Sequence, residues 1–105
     1  MIKISEQQEC NGLTYAEIVK KVGEKNIADY ELLQKLRNIG FKSNWKKYPQ
    51  LKDFWVFVPN PDKVSKSGGC VARFLADSVW AYLNCYGDPQ VAGGSLGVFL
   101  IKEKK

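Results

Sequence analysis

The rhythm of apolar and polar positions changes several times along this chain. Met1 to Ser5 alternates, with Ile2 and Ile4 apolar, and predicts a short strand. Thr14-Tyr15-Ala16-Glu17 then has the spacing of a capping box, in which Thr14 and Glu17 each satisfy the other's backbone N–H. Leu13 and Ile18 stand at the staple positions, Tyr15, Ile18, Val19 and Val22 share one helical face, and Gly23 is a natural stop. A helix over Tyr15 to Val22 follows. A second helix is predicted from Ile27 to Ile39, with Asn26 as N-cap and Asp29 favourable in the first turn. Its buried stripe is Tyr30, Leu33, Leu36 and Ile39, widened by Leu32. Gly40 fits a left-handed cap, with Phe41 folding back over the helix end.

Beyond the helices the period shortens. Phe54 to Val58 is an unbroken aromatic and β-branched run, hence a buried strand, with Tyr48-Pro49 and Pro59-Asn60-Pro61-Asp62 as breakers on either side. Residues 62–69 read as a polar loop. Val71, Phe74, Leu75, Val79, Tyr82 and Leu83 have helical spacing, yet residues 71–84 contain no Glu or Lys, and Ala76-Asp77-Ser78 serves equally as a turn. Periodicity leaves a helix and a hairpin of Cys70–Leu75 with Val79–Cys85 both open. Gly87-Asp88-Pro89 reads as a turn, Ala92-Gly93-Gly94 as a loop, and Leu96 to Lys102 as a strand. From Gly68 to Ile101 only Arg73, Asp77 and Asp88 carry charge, so this stretch supplies much of the core and leaves an uncharged, aromatic remainder.

Composition narrows the chemistry. With 105 residues the chain fits a single domain, and its net charge of +5 permits an acidic partner without requiring one. Histidine is absent, which removes Ser–His–Asp and Cys–His nucleophile systems and His-containing zinc sites. Cys10, Cys70 and Cys85 lack CxxC spacing, so neither a metal centre nor a cofactor is expected, and no catalytic residue is assigned. An odd cysteine count without a secretory pattern, and no long apolar run, predict a cytoplasmic chain that does not engage membranes. If residues 70–85 form a hairpin, Cys70 and Cys85 could pair across it, but they read as two buried thiols.

The order of elements, together with VARFLADSVWAYLNC, a loop and SLGVF near the C-terminus, resembles the C-type-lectin-like fold. It is most similar to the terminal region of the variable proteins of diversity-generating retroelements, and DFWVFV fits the central tryptophan-bearing strand of such folds. The expected fold class is accordingly α+β: two N-terminal helices packed on a small antiparallel sheet, C-type-lectin-like. The resemblance implies a non-catalytic domain presenting variable side chains to a protein or other macromolecular ligand. The positions implied are Arg73, Leu75, Asp77, Val79, Trp80, Tyr82, Asn84, Tyr86, Asp88 and Gln90. Aromatic residues interleaved with Asn, Asp and Arg suit adaptable contact. No Glu-Pro-Asn calcium motif is present, and the catalytic cysteines of the related formylglycine-generating enzymes have no counterpart, so neither calcium-dependent sugar binding nor that activity is implied.

A rival resemblance covers Leu13 to Phe41, which is similar in spacing to the helix-turn-helix of winged-helix regulators. Phe41 to Val58 would then be the wing, with Lys42, Lys46, Lys47 and Lys52 on phosphates and Trp45 or Tyr48 beside them, making nucleic acid the alternative partner. Asp29 and Glu31 stand against this, because they occupy the end of the helix that would enter the groove. NWKKYPQL with the later GGC is also similar to the cis-proline region of monothiol glutaredoxins, though Cys10 lacks the redox motif and Pro49 reads as a turn proline. Trp45 and Trp55 read as core, Lys66-Ser67-Gly68-Gly69 as a linker, and Lys102 to Lys105 as a solubilising tail.

Overall fold

The C-terminal segment 96–103 is the seam that joins the rest of the molecule. In a computed structural model, which describes residues 3–59, 70–75, 81–84 and 96–103, this segment changes partner at almost every residue. Phe57 N donates to Gly97 O (2.8 Å), Val98 exchanges bonds with Glu9, Ala28 N donates to Phe99 O (2.8 Å), and Ser5 N donates to Leu100 O (2.9 Å). Only then does strand β5 (Ile101–Glu103) pair antiparallel with β1 (Lys3–Ile4). The continuous strand expected from Leu96 to Lys102 is therefore split. A ladder requires successive residues to keep the same partner strand at constant register, whereas these residues serve four different segments.

Helix α1 (Tyr15–Val22) begins as its sequence dictates. Glu17 N donates to Thr14 Oγ1 (3.3 Å) and Thr14 N donates to the Glu17 carboxylate (3.0 Å). Gly23, at φ 84°, ends it and donates to Val19 O (2.8 Å). Asn26 does not cap the next helix. Its amide donates to Val22 O (2.7 Å), closing α1, and a 3-10 turn over Glu24–Asn26 follows. Ile27 pairs with Leu100 as extended backbone, which delays helix α2 to Tyr30–Lys42. Asp29 takes over as N-cap, accepting from Leu32 N (2.8 Å).

The inner face of α2 is also shifted from the expected stripe. Leu33, Leu36, Arg37 and Gly40 are buried, at helical spacing, and this rotates Ile39 outward to 36% exposure. Gly40 lies within the helix rather than at its cap. The Trp45 ring packs on it so closely that a Cβ there would stand 2.6 Å from ring carbon Cζ3. Phe41 does not fold back, and remains 54% exposed.

Strands β2 (Phe54–Val58), β3 (Cys70–Phe74) and β4 (Ala81–Asn84) form an antiparallel sheet in that order. The antiparallel pairing expected of a hairpin is thus present between β3 and β4, and the helical alternative is excluded for both strands; residues 76–80 lie outside the described residues. The sheet divides the core. Phe54, Val56, Val58, Cys70, Ala72 and Phe74 face α2 with Leu33, Leu36, Leu51 and Phe99. On the other side Phe57 joins Tyr15, Ile18, Ile27 and Val98. Burial on both sides explains why FWVFV shows no polar alternation. Phe54 and Phe74, directly paired across strands, stack at 4.5 Å, and Phe99 meets Phe54 edge-on at 5.1 Å. The chain is a small α+β domain, and among the described residues no helix is long and apolar enough to cross a membrane.

The cysteines depart from expectation in one respect. Cys70, 1% exposed, is disulfide-bonded rather than a buried thiol, and Cys10 is free. Cys85 lies outside the described residues.

Candidate functional site

One half of the outer sheet face is covered and the other is open. Alternation along β2 and β3 puts Trp55, Phe57, Val71 and Arg73 on the side away from α2. Phe57 and Val71 are covered by α1, where the Tyr15 ring sits 5.9 Å from that of Phe57. One residue pair further on, none of the described elements gives such cover. Trp55 is 47% exposed, and the Arg73 guanidinium carbon lies 4.7 Å from the centre of its ring. The two residues are direct cross-strand partners, so the cation–π contact follows from register. Arg73 pairs in turn with Tyr82 on β4, aligning positions 55, 73 and 82 across three strands.

The Arg73 side chain is half-buried. Its Nε is shielded from solvent and has no hydrogen-bond partner. A guanidinium over an aromatic ring keeps its charge in contact with the ring's π face. The contact therefore joins a broad apolar ring to a cation, and Trp and Arg are both enriched at recognition surfaces.

Beneath this face, Arg37 braces the end of β3. It is 2% exposed and its Nη2 donates to Leu75 O. Burial pushes its pKa below the ordinary arginine value, opposed by the nearby Asp53 carboxylate. Leu75, expected to point outward, is half-buried, and its backbone is engaged by this bond.

Of the other expected ligand positions, Tyr82 and Asn84 lie on β4, at registers opposite Arg73 and Val71. Asp77, Val79, Trp80, Tyr86, Asp88 and Gln90 lie outside the described residues. Trp55, which sequence reasoning assigned to the core, belongs instead with Arg73. Its signal was parity. Phe54, Val56 and Val58 occupy one side of β2, so Trp55 must occupy the other, and the open half of that side begins there.

The segment proposed as a wing has a different form. Residues 43–53 consist of turns and a 3-10 turn at Pro49–Leu51, and β2 pairs with β3 and Gly97, with no strand preceding it in a hairpin. The left-handed residues and Pro49 exclude a ladder there. Lys42, Lys46, Lys47 and Lys52 are all exposed, while Trp45 is half-buried against the main core. There is no cis peptide among the described residues, so Pro49 is an ordinary trans turn proline.

An open polar depression lined by Glu6, Gln7, Gln8, Asn11, Gln50 and Asp53 runs past Phe54 and Phe99. Among the described residues, no three His, Cys, Asp or Glu side chains are grouped to hold a metal ion. Comparison with protein-family models, curated proteins and solved structures finds no match to this chain.

Proposed function

We propose that this chain is a non-catalytic binding domain whose ligand face is the open half of the β2–β3–β4 sheet. The observation that carries this reading is the exposed Trp55 ring with Arg73 stacked on it. The Trp55 ring is held on a sheet packed from beneath by α2. A surface on rigid strands binds with little ordering cost. The ligand is a macromolecule that covers Trp55 and supplies acceptors to Arg73, and the row they belong to reaches position 82 on β4.

The C-type-lectin-like reading is supported by the element order and by β1 lying beside the terminal strand β5. On that reading the face corresponds to the variable surface of retroelement variable proteins. The Cys70 disulfide weighs against a cytoplasmic site of action, because such bonds persist chiefly where the surroundings are oxidising.

A photo-crosslinking side chain installed at position 55, with one at the exposed Lys21 on α1 as control, tests the assignment in extract from the source organism. The expected result is a product formed only from position 55 and lost when Arg73→Ala is added. Equal products from both positions, or none from position 55, would overturn it.

A further inference from the structure

We propose that the turn following α2 is a second binding site, for single-stranded nucleic acid, carried by residues other than those of the sheet face. From Phe41 to Lys52 the chain carries Lys42, Lys46, Lys47 and Lys52 and no Asp or Glu. All four lysines are exposed, and none is ion-paired with another described residue. Phe41, the most exposed of the large hydrophobic residues described, lies among them, its ring edge-on to Trp45 at 6.5 Å and 85°.

The backbone holding these groups is in an unfavourable conformation. Asn44, Trp45 and Tyr48 have φ of 54°, 64° and 50°, the left-handed region that bulky side chains rarely occupy. The turn is nonetheless over-determined. Trp45 N donates to Gly40 O (2.7 Å), Ser43 Oγ donates to Gly40 O (2.9 Å), and Lys47 N donates to Ser43 Oγ (3.0 Å). The Trp45 ring occupies the space that the missing Gly40 side chain leaves. Strain retained by so many restraints is characteristic of ligand clamps, and here it fixes the backbone of Lys46 and Lys47 directly after Trp45, whose ring meets that of Phe41.

Lysines alone would attract any polyanion. An exposed aromatic beside them selects a ligand that has both phosphates and flat apolar rings, as an unpaired strand does. A duplex conceals its base faces, and Asp29 and Glu31 at the start of α2 repel phosphates from the helix end that would enter a groove. A membrane surface fits less well, because the apolar stripe of α2 faces the core and leaves no wide face for insertion.

The probe is a labelled oligothymidylate of about a dozen nucleotides, followed by fluorescence anisotropy across a salt series. With four phosphates engaged, log affinity is expected to fall against log salt with a slope of roughly −3. Lys46→Ala with Lys47→Ala should lower affinity and reduce that slope by about 1.4. Phe41→Ala should weaken binding about fivefold or more while leaving the slope unchanged, which a purely electrostatic contact would not produce. Should the Lys46/Lys47 variant lose its fold, Lys42→Ala with Lys52→Ala applies the same test. Absence of saturable binding at low salt would overturn the proposal. So would equal affinity for a duplex of the same length, for polyphosphate, or for vesicles containing anionic lipid.

Discussion

Arg37, in the middle of α2, donates from its buried guanidinium to the backbone carbonyl of Leu75, just past the end of β3. Thirty-eight residues separate the two in sequence, and the bond fastens the longer helix to the strand that carries Arg73. Arg37→Ala removes that donor, leaves the Leu75 carbonyl short of a partner and opens a cavity. The expected loss is about 2–3 kcal/mol, read as a lower urea midpoint. Arg37→Met, which refills much of the volume, should recover part of it.

Trp55 and Arg73 should behave in the opposite way. Because Trp55 is half-exposed, Trp55→Ala is expected to cost no more than about 1 kcal/mol in stability. A double-mutant cycle with Arg73→Ala should return a coupling of about 0.5–1 kcal/mol, the range for an exposed cation–π pair. A loss of several kcal/mol on removing Trp55 would place it in the core and remove the basis for the ligand face.

Gly40 tests the turn after α2. Any side chain there meets the Trp45 ring, so Gly40→Ala should destabilise by about 1–3 kcal/mol despite Ala's better helix propensity. Trp45 must move in response, so its tryptophan emission should shift in the folded variant. An unchanged melting midpoint would show that the ring does not rest on the helix backbone.

The Thr14–Glu17 box makes stability sensitive to acid. The Thr14 backbone N–H, and then its hydroxyl, hold the Glu17 carboxyl below its ordinary pKa. With the folded value below the unfolded one (about 4.3), the contribution is complete above that pH and is lost as pH falls through the folded value. Glu17→Gln should flatten this part of the profile in melts taken between about pH 5 and pH 3. Thr14→Ala should cost about 1 kcal/mol at neutral pH.

The Cys70 disulfide predicts a redox-dependent melt. Alkylation under non-reducing conditions should label Cys10 and spare Cys70, and Cys70→Ser should cost about 2–4 kcal/mol. If Cys70 is labelled as readily as Cys10 in the native protein, the bond is absent.

What was legible from residues alone was what local rules control. The Thr14 box and Gly23 set both ends of α1, and the density of β-branched and aromatic residues marked β2. The boundaries of α2 were not legible, because Ile27 was withdrawn into pairing with Leu100, seventy-three positions away, and Asp29 inherited the cap. Gly40 looked like a stop because its lack of a side chain serves helix ends. Here the same lack admits the Trp45 ring.

The sequence by itself determined an α+β domain with two capped helices, a hydrophobic last third and no histidine-based chemistry, since propensity, capping and composition act over a few residues. Tertiary structure alone decided that Cys70–Phe74 and Ala81–Asn84 are strands, that Cys70 is oxidised, and that Trp55 lies open under Arg73. Period and hydrophobicity identify which side chains must leave water. They do not say which half of a sheet face α1 will cover, because that depends on contacts between residues far apart in the chain.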